Sequence, residues 1–206
     1  DNNNNKYDDL LEWLSTRMGA VNSYKIEIKR SGCGVGYGAF TKEPVEADEL
    51  LVAIPRSACI TLDDAFGDPE CGQVLQKLVD KAGPGADSVA LAGIIAKERL
   101  KNDDSEYAPY LKTLPWNRGD NNQEHILFWS DDEIEELLKD SLCYEEAVDL
   151  RKEVALAVSV LDKILAAPVY TGLFRLPWEK QETKSLKGLS DAVMAAFVCI
   201  LARAFQ

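Results

Sequence analysis

A run of alternating glycines is the first feature of this sequence that could do chemistry. Gly32, Gly34, Gly36 and Gly38 alternate with larger residues in the stretch SGCGVGYGAF, residues 31–40. A glycine inside a strand or helix costs about 0.5–1 kcal/mol relative to alanine. A run of them is therefore typical of a backbone that bends sharply or lies close to another group. Three interpretations are open: a dinucleotide site, a backbone nest for another small cofactor, and a hairpin without a ligand.

The dinucleotide interpretation depends on the element that comes directly after the glycines. Residues 34–39, GVGYGA, fit the GxGxxA fingerprint, which binds a pyrophosphate only where a helix begins at its end. Here the chain continues with a proline, Pro44, and then with ELLVAIP, a strand pattern at residues 49–55. The sequence context therefore disfavours a nicotinamide or flavin site.

A lone arginine in an apolar helix pattern is the second candidate. Arg203 is the only charged residue between Ala192 and Phe205. A buried guanidinium needs a partner, which would place Arg203 in a site. Alternatively, Arg203 lies at the exposed end of the helix and complements the helix dipole.

The remaining residues offer little for metal or triad chemistry. His125 is the only histidine, it lies in a polar run, and we expect it to be a solvated loop residue. The five cysteines are spread along the chain without a CxxC pair. This spacing argues against a structural zinc site and against a disulfide framework, so we expect no metal. It also fits a reducing intracellular compartment.

The charge balance restricts the partners. The formal net charge is −12, from 23 basic and 35 acidic residues. Acidic surfaces repel phosphate backbones, so we expect no nucleic-acid partner. No apolar run reaches the length that spans a membrane, so we expect no membrane partner either.

The elements that would position these residues change character along the chain. Residues 1–20 contain a helix pattern, YDDLLEWLSTRM, and residues 21–60 read as short strands joined by tight turns. Residues 61–189 are mostly helical, and residues 190–206 form a last helix. Because strands come first and helices come after them, the pattern predicts an α+β fold and not a doubly wound sheet.

Two helices in the middle of the chain have strong local signals. Ser130 is followed three residues later by Glu133, which predicts a capping box at the start of a helix. Residues 145–167 carry apolar side chains at helical spacing and predict a long helix.

Together, these pieces resemble a SET domain. The run GVGYGAFTKEPVEADELLVAIP is similar to the opening of that domain. The later pieces ALAGIIAKERL, YAPYLKTLP, FWSDDEIEEL and AAFVCILARAF match the group that includes the plant Rubisco large-subunit lysine methyltransferase. The resemblance implies the N-terminal half of a SET domain with a helical insert at residues 61–189. It implies an S-adenosylmethionine-dependent protein-lysine N-methyltransferase.

The resemblance also implies which residues bind the cofactor. In that family the glycine-rich turn contacts S-adenosylmethionine, largely through its backbone, and an arginine at the place of Arg203 lies beside the pocket. The turn residues that correspond by position are Cys33, Gly34, Val35, Gly36 and Tyr37. Cys33 stands where the family often has an acidic residue.

The catalytic residues and the substrate are less well defined. The family uses an Asn-His pair and a tyrosine that we expect beyond Gln206, so the catalytic residues stay unknown and we expect the 206-residue chain to be a truncated, inactive piece. The resemblance implies a protein substrate with a target lysine, or histidine as the alternative acceptor, and a monomer. Cytoplasm or nucleus is the expected compartment, with the chloroplast as an alternative. The competing hypothesis is a non-catalytic SET-like module that binds another protein.

Overall fold

The computed structural model describes residues 3–17, 19–22, 24–32, 36–165 and 188–203. These residues form two compact units. The first contains residues 1–60 and 102–124, and the second contains residues 61–101 and 125–206. Residues 102–124, which the sequence analysis assigned to the helical insert, thus pack within the first unit.

The described residues form eight α-helices. In chain order they are α1 (Asn3–Ser15), α2 (Leu62–Gly67), α3 (Gly72–Ala82), α4 (Ala86–Leu100), α5 (Ala108–Leu111), α6 (Asp131–Leu138), α7 (Cys143–Leu165) and α8 (Leu189–Arg203). None of these helices is both long and apolar enough to cross a membrane.

The strands of the described residues all lie in the first unit and form two antiparallel pairs. They are β1 (Val21–Asn22), β2 (Ile26–Arg30), β3 (Tyr37–Thr41) and β4 (Val52–Ala53). β2 pairs with β3 and β1 pairs with β4. Within the strand pattern at residues 49–55, the strand is β4, whose two residues Val52 and Ala53 pair with Asn22 and Val21 of β1.

Helix α1 is held in the first unit by its second half. The Trp13 indole donates a hydrogen bond to the carbonyl oxygen of Glu106 at 3.1 Å, and Arg17 forms an ion pair with the Glu106 carboxylate. Tyr7 and Leu14 are buried on the same helix. These contacts attach the lead-in helix to the segment that contains α5.

The second unit packs around α4. This helix lies against α8 most extensively, and also against α2, α3 and α7. Small residues allow the close approach: a Cβ at Gly93 would lie 2.8 Å from the Leu161 side chain, which is fully buried. Val193 and Val198 complete this core from α8.

The local helix signals are confirmed. The Ser130 hydroxyl accepts a hydrogen bond from the Glu133 amide at 3.2 Å, and the Glu133 carboxylate accepts one from the Ser130 amide at 2.8 Å. These are the two bonds of a capping box. The long helix predicted at residues 145–167 is α7, which buries Val154 and Leu161.

Candidate cofactor site

The glycine-rich run connects β2 to β3, and its described residues 31, 32 and 36–40 belong to this hairpin. Arg30 pairs with Tyr37 at the end of the two strands, and the Ser31 amide donates a hydrogen bond to the Gly36 carbonyl oxygen at 3.0 Å. Gly36 has a φ of +64°, in the left-handed region that L residues other than Asn and Asp rarely adopt. The backbone conformation therefore favours a glycine at this position.

Gly38 is small for a different reason. A Cβ at this position would lie 3.2 Å from the ring of Phe40, whose side chain lies across Gly38 on the same strand. Gly32, in contrast, has open space where a Cβ would project. Two of the four glycines thus have a structural explanation within the hairpin itself, one conformational and one steric.

The hairpin also decides between two of the interpretations of the run. β3 begins at Tyr37 and continues to Thr41, and no helical turn occurs in the described residues 36–55. A dinucleotide fingerprint needs a helix N-terminus at this place to face the pyrophosphate. The structure therefore contradicts the dinucleotide interpretation.

Helix α1 contributes an aromatic partner to the turn. The rings of Tyr7 and Tyr37 are 4.6 Å apart between centroids, with an interplanar angle of 35°. Tyr7 is buried and Tyr37 is half-buried. The packing of two rings favours one orientation of Tyr37 beside the glycine backbone.

The loop after α5 lies behind the same turn. The Lys6 ammonium donates a hydrogen bond to the Asn121 side-chain oxygen at 3.2 Å, and the Asn121 side-chain NH₂ group donates one to the Thr113 carbonyl oxygen at 2.9 Å. The backbone oxygen of Asn121 lies 3.7 Å from the point where a Cβ on Gly36 would sit. Three segments that are distant in sequence therefore meet at the hairpin turn.

The predicted cofactor residues are only partly described. Gly36 directly precedes Tyr37, the first residue of β3, whereas Cys33, Gly34 and Val35 lie outside the described residues. Arg203 is the last residue of α8, but its side chain lies outside the described part of the structure. The two interpretations of Arg203 stay open.

The sequence analysis missed Lys6, Tyr7 and Asn121. One signal was available, the Asn-Asn pair at positions 121 and 122, because asparagine is several-fold enriched in left-handed conformations. Both asparagines indeed have positive φ, at 51° and 60°. Their position behind the glycine turn could not be read from that signal.

The second unit contains a separate polar cluster. The Lys97 ammonium donates to both carboxylate oxygens of Asp68 at 2.7 Å and also pairs with Glu70. Asp68 in turn accepts hydrogen bonds from the Cys71 amide at 3.0 Å and from the Cys71 thiol at 3.2 Å. These bonds join the start of α3 to α4.

The pKa values in this cluster are explained by those contacts. Burial tends to raise the pKa of Asp68, but the hydrogen bonds from Lys97 and Cys71 outweigh it and lower the pKa to about 2. Burial and the hydrogen bond to Asp68 raise the pKa of Cys71 to about 12. Because the thiolate is the reactive form, Cys71 is protected from nucleophilic chemistry and the cluster is structural.

The single histidine is also structural. His125 is half-buried, contrary to the expected solvated loop position, and its Nδ1 accepts a hydrogen bond from the Leu127 amide at 3.2 Å. Burial lowers its pKa, so it is neutral at pH 7. Among the described side chains, no group of three or more potential ligands is arranged to hold a metal ion.

The chain is similar in sequence and in fold to known proteins. No family model matches the chain. The N-lysine methyltransferase SETD6 of Rattus norvegicus is 31% identical over 134 residues, which are 63% of this chain and 25% of that protein. The Mus musculus protein of the same name gives the same identity and coverage. The solved structure of Rubisco LSMT bound to sinefungin and monomethyllysine matches 97% of this chain with a TM-score of 0.69.

The chain shares the fold of Rubisco LSMT. The α+β, SET-like fold predicted from the sequence is thereby confirmed, because the match to Rubisco LSMT spans nearly all of this chain at only 18% sequence identity. The match covers 41% of the Rubisco LSMT chain. The sequence match covers about a quarter of the length of the two N-lysine methyltransferases.

Proposed function

We propose that this SET-like chain carries the cofactor turn of an S-adenosylmethionine-dependent protein-lysine N-methyltransferase. The observation that carries the proposal is the β2–β3 turn, whose backbone favours glycine at position 36 in a chain with the fold of Rubisco LSMT. The Rubisco LSMT structure contains sinefungin, an S-adenosylmethionine analogue, together with monomethyllysine. The curated relatives are named N-lysine methyltransferases.

The proposed chemistry makes modest demands on the protein. Bound S-adenosylmethionine supplies a methyl group, which passes from the sulfonium sulfur to the neutral lysine amine with loss of a proton from nitrogen. The protein must hold the two reactants in line and favour the neutral amine. In this proposal, residues 33–37 present backbone groups to the cofactor, and Arg203 lies beside the pocket.

The substrate is proposed to be a protein with a target lysine, and histidine is the alternative acceptor. A net charge of −12 favours basic protein segments over nucleic acid. Cys59, Cys71 and Cys143 are free thiols, which supports a reducing compartment, either the cytoplasm or the nucleus, with the chloroplast as the alternative. The protein is proposed to act as a monomer.

The test separates cofactor binding from turnover. Calorimetric titration of the full-length protein with sinefungin should show saturable binding that is strongly weakened by Gly36→Val, because a β-branched residue resists positive φ. Methyl transfer from labelled S-adenosylmethionine to lysine-containing peptides should also be detectable. The 206-residue chain alone should show no turnover. A full-length protein that binds no sinefungin contradicts the proposal.

A non-catalytic protein-binding module is the second candidate. One observation favours it: α6 and α7 with the turn between them expose Leu137, Leu142 and Leu156. Leu142 is 97% exposed. Such a module would bind its partner equally well with and without S-adenosylmethionine, and it would bind no sinefungin.

A further inference from the structure

We propose that Asn121 is a positioning residue that holds the β2–β3 turn in its cofactor-binding geometry. The inference rests on the proposed function, and it goes further by assigning a role to a residue far from the glycine run in sequence. Asn121 acts through Gly36 and Lys6, and it is not itself placed in contact with the cofactor.

The first argument is the pattern of contacts around Asn121. Its side chain joins Lys6 of α1 to the Thr113 carbonyl oxygen, at 3.2 and 2.9 Å. Its backbone oxygen lies against Gly36, the residue with the left-handed backbone in the turn. One residue therefore touches both the turn and the helix that supports it.

The second argument is that Lys6 and Tyr7 are adjacent on α1. Tyr7 packs on the ring of Tyr37, the first residue of β3. A displacement of Lys6 would move Tyr7 and, with it, the support of Tyr37. The bond between Lys6 and Asn121 thus supports the turn through Tyr7 and Tyr37, in addition to the position of the Asn121 backbone oxygen near Gly36.

The loop that carries Asn121 is also closed by bonds that do not involve the Asn121 side chain. The Asp120 carboxylate accepts hydrogen bonds from the backbone amides of Trp116 and Asn117 at 3.1 and 2.9 Å. The Gly119 amide donates to the Gln123 carbonyl oxygen at 2.8 Å. The Asn121 side chain adds one bond within the loop, to Thr113, and one bond outward, from Lys6 of α1.

The backbone of Asn121 is in a conformation that side chains rarely adopt. Its φ and ψ are 51° and 31°. Asparagine adopts this conformation more readily than most other L residues, and four other Asn and Asp residues in the described part of the chain also have positive φ. Asn121→Gly is the variant of choice because glycine accommodates the left-handed backbone while the bridging side chain is removed.

The binding experiment compares sinefungin affinity among variants of the full-length protein. Asn121→Gly and Lys6→Met should each weaken binding by about 5- to 20-fold, the range typical of coupled residues. The double variant should lose clearly less affinity than the sum of the two single losses, because both changes break the bond between Lys6 and Asn121; Asn121 also bonds Thr113, and the Lys6 ammonium also lies 5.1 Å from the centre of the Tyr7 ring. Asn117→Ala is the matched control: it removes an exposed amide that bonds Asp120 in the same loop, and affinity should change by less than about twofold.

Hydrogen exchange separates positioning from the proposed function. Without cofactor, the β3 amides should exchange faster in Asn121→Gly than in wild type, and at the wild-type rate in Asn117→Ala. Unchanged exchange in Asn121→Gly, or additive losses of affinity in the double variant, would overturn the positioning role. Absence of sinefungin binding by the wild type would instead contradict the proposed function, and exchange would still decide the role of Asn121.

Discussion

The rings of Tyr7 and Tyr37 lie 4.6 Å apart and join helix α1 to the first residue of β3. The two residues are 30 positions apart in the sequence, and Tyr7 is only 9% exposed. The lead-in helix is therefore part of the support of the glycine turn and not a separate appendage.

Truncation of Tyr7 should affect both stability and cofactor binding. Tyr7→Ala removes a buried ring and should lower the free energy of unfolding by about 3–5 kcal/mol, whereas Tyr7→Phe keeps the ring and should lower it much less. Sinefungin affinity should also fall more in Tyr7→Ala than in Tyr7→Phe. Leu14→Ala is the control, since Leu14 is equally buried on α1. It should destabilise the protein and leave the affinity of the folded fraction unchanged, as measured by calorimetry below the unfolding transition.

Two glycines of the same turn should respond differently to alanine. Gly36→Ala forces an L residue into positive φ and should lower the free energy of unfolding by about 1–2 kcal/mol. Gly32→Ala has room for the methyl group, so its effect should lie between zero and a stabilisation of about 1 kcal/mol. Urea denaturation of both variants measures the difference. Equal losses at the two positions would contradict the assignment of strain to Gly36.

Acid should selectively remove the contribution of Asp68. The folded-state pKa of Asp68 is about 2, below its ordinary value of 3.8. A depressed pKa stabilises the fold above the unfolded-state value, and this stabilisation is lost as pH falls from about 4 to about 2. Asp68→Asn should therefore lower the free energy of unfolding by about 2 kcal/mol at pH 7 and much less near pH 2.

Glu70 provides the matched control for that pH dependence. It pairs with the same Lys97 ammonium, but its side chain is 54% exposed. Exposed ion pairs contribute about 0–1 kcal/mol, so Glu70→Gln should have a small effect at both pH values. Denaturant titrations of both variants at about pH 7 and about pH 2 measure these changes in the free energy of unfolding. A loss for Asp68→Asn that does not depend on pH would argue against the ion pair as its cause.

Alkylation should distinguish the cysteines. Cys59 and Cys143 are exposed, whereas Cys71 is buried and its pKa is raised to about 12 by burial and by Asp68. At about pH 8, iodoacetamide should modify Cys59 and Cys143 within minutes and leave Cys71 unmodified until denaturant is added. Peptide mass spectrometry reads each site separately. Rapid modification of Cys71 in the native protein would show that the α3–α4 junction opens.

Local signals in the sequence predicted local structure well. The capping box of Ser130 and Glu133 and the apolar spacing of α7 need only neighbouring residues, so both were readable. The absence of a helix after Gly38 was likewise predicted, from Pro44 and the strand pattern after it. The SET-like fold was recognised from the order of such pieces, because each piece alone is only moderately specific.

Contacts between distant segments were not predictable in the same way. Nothing near residue 121 indicates that its carbonyl lies against Gly36, and nothing near Lys6 indicates its bond to Asn121. The place of residues 102–124 in the first unit was not predictable for the same reason, since it depends on contacts between distant segments such as that of Trp13 with Glu106. Helical periodicity identifies an element but not the surface against which it will pack.

The bond between Lys6 and Asn121 also has a consequence for the order of folding. It spans 115 positions of the sequence, and helices α2, α3, α4 and α5 are formed from the residues between them. A ribosome must therefore synthesise all four helices before the turn can acquire its support, and the closure of so long a loop is entropically unfavourable and slow. The hairpin can pair its strands early, but the cofactor turn becomes fixed late in the life of the nascent chain.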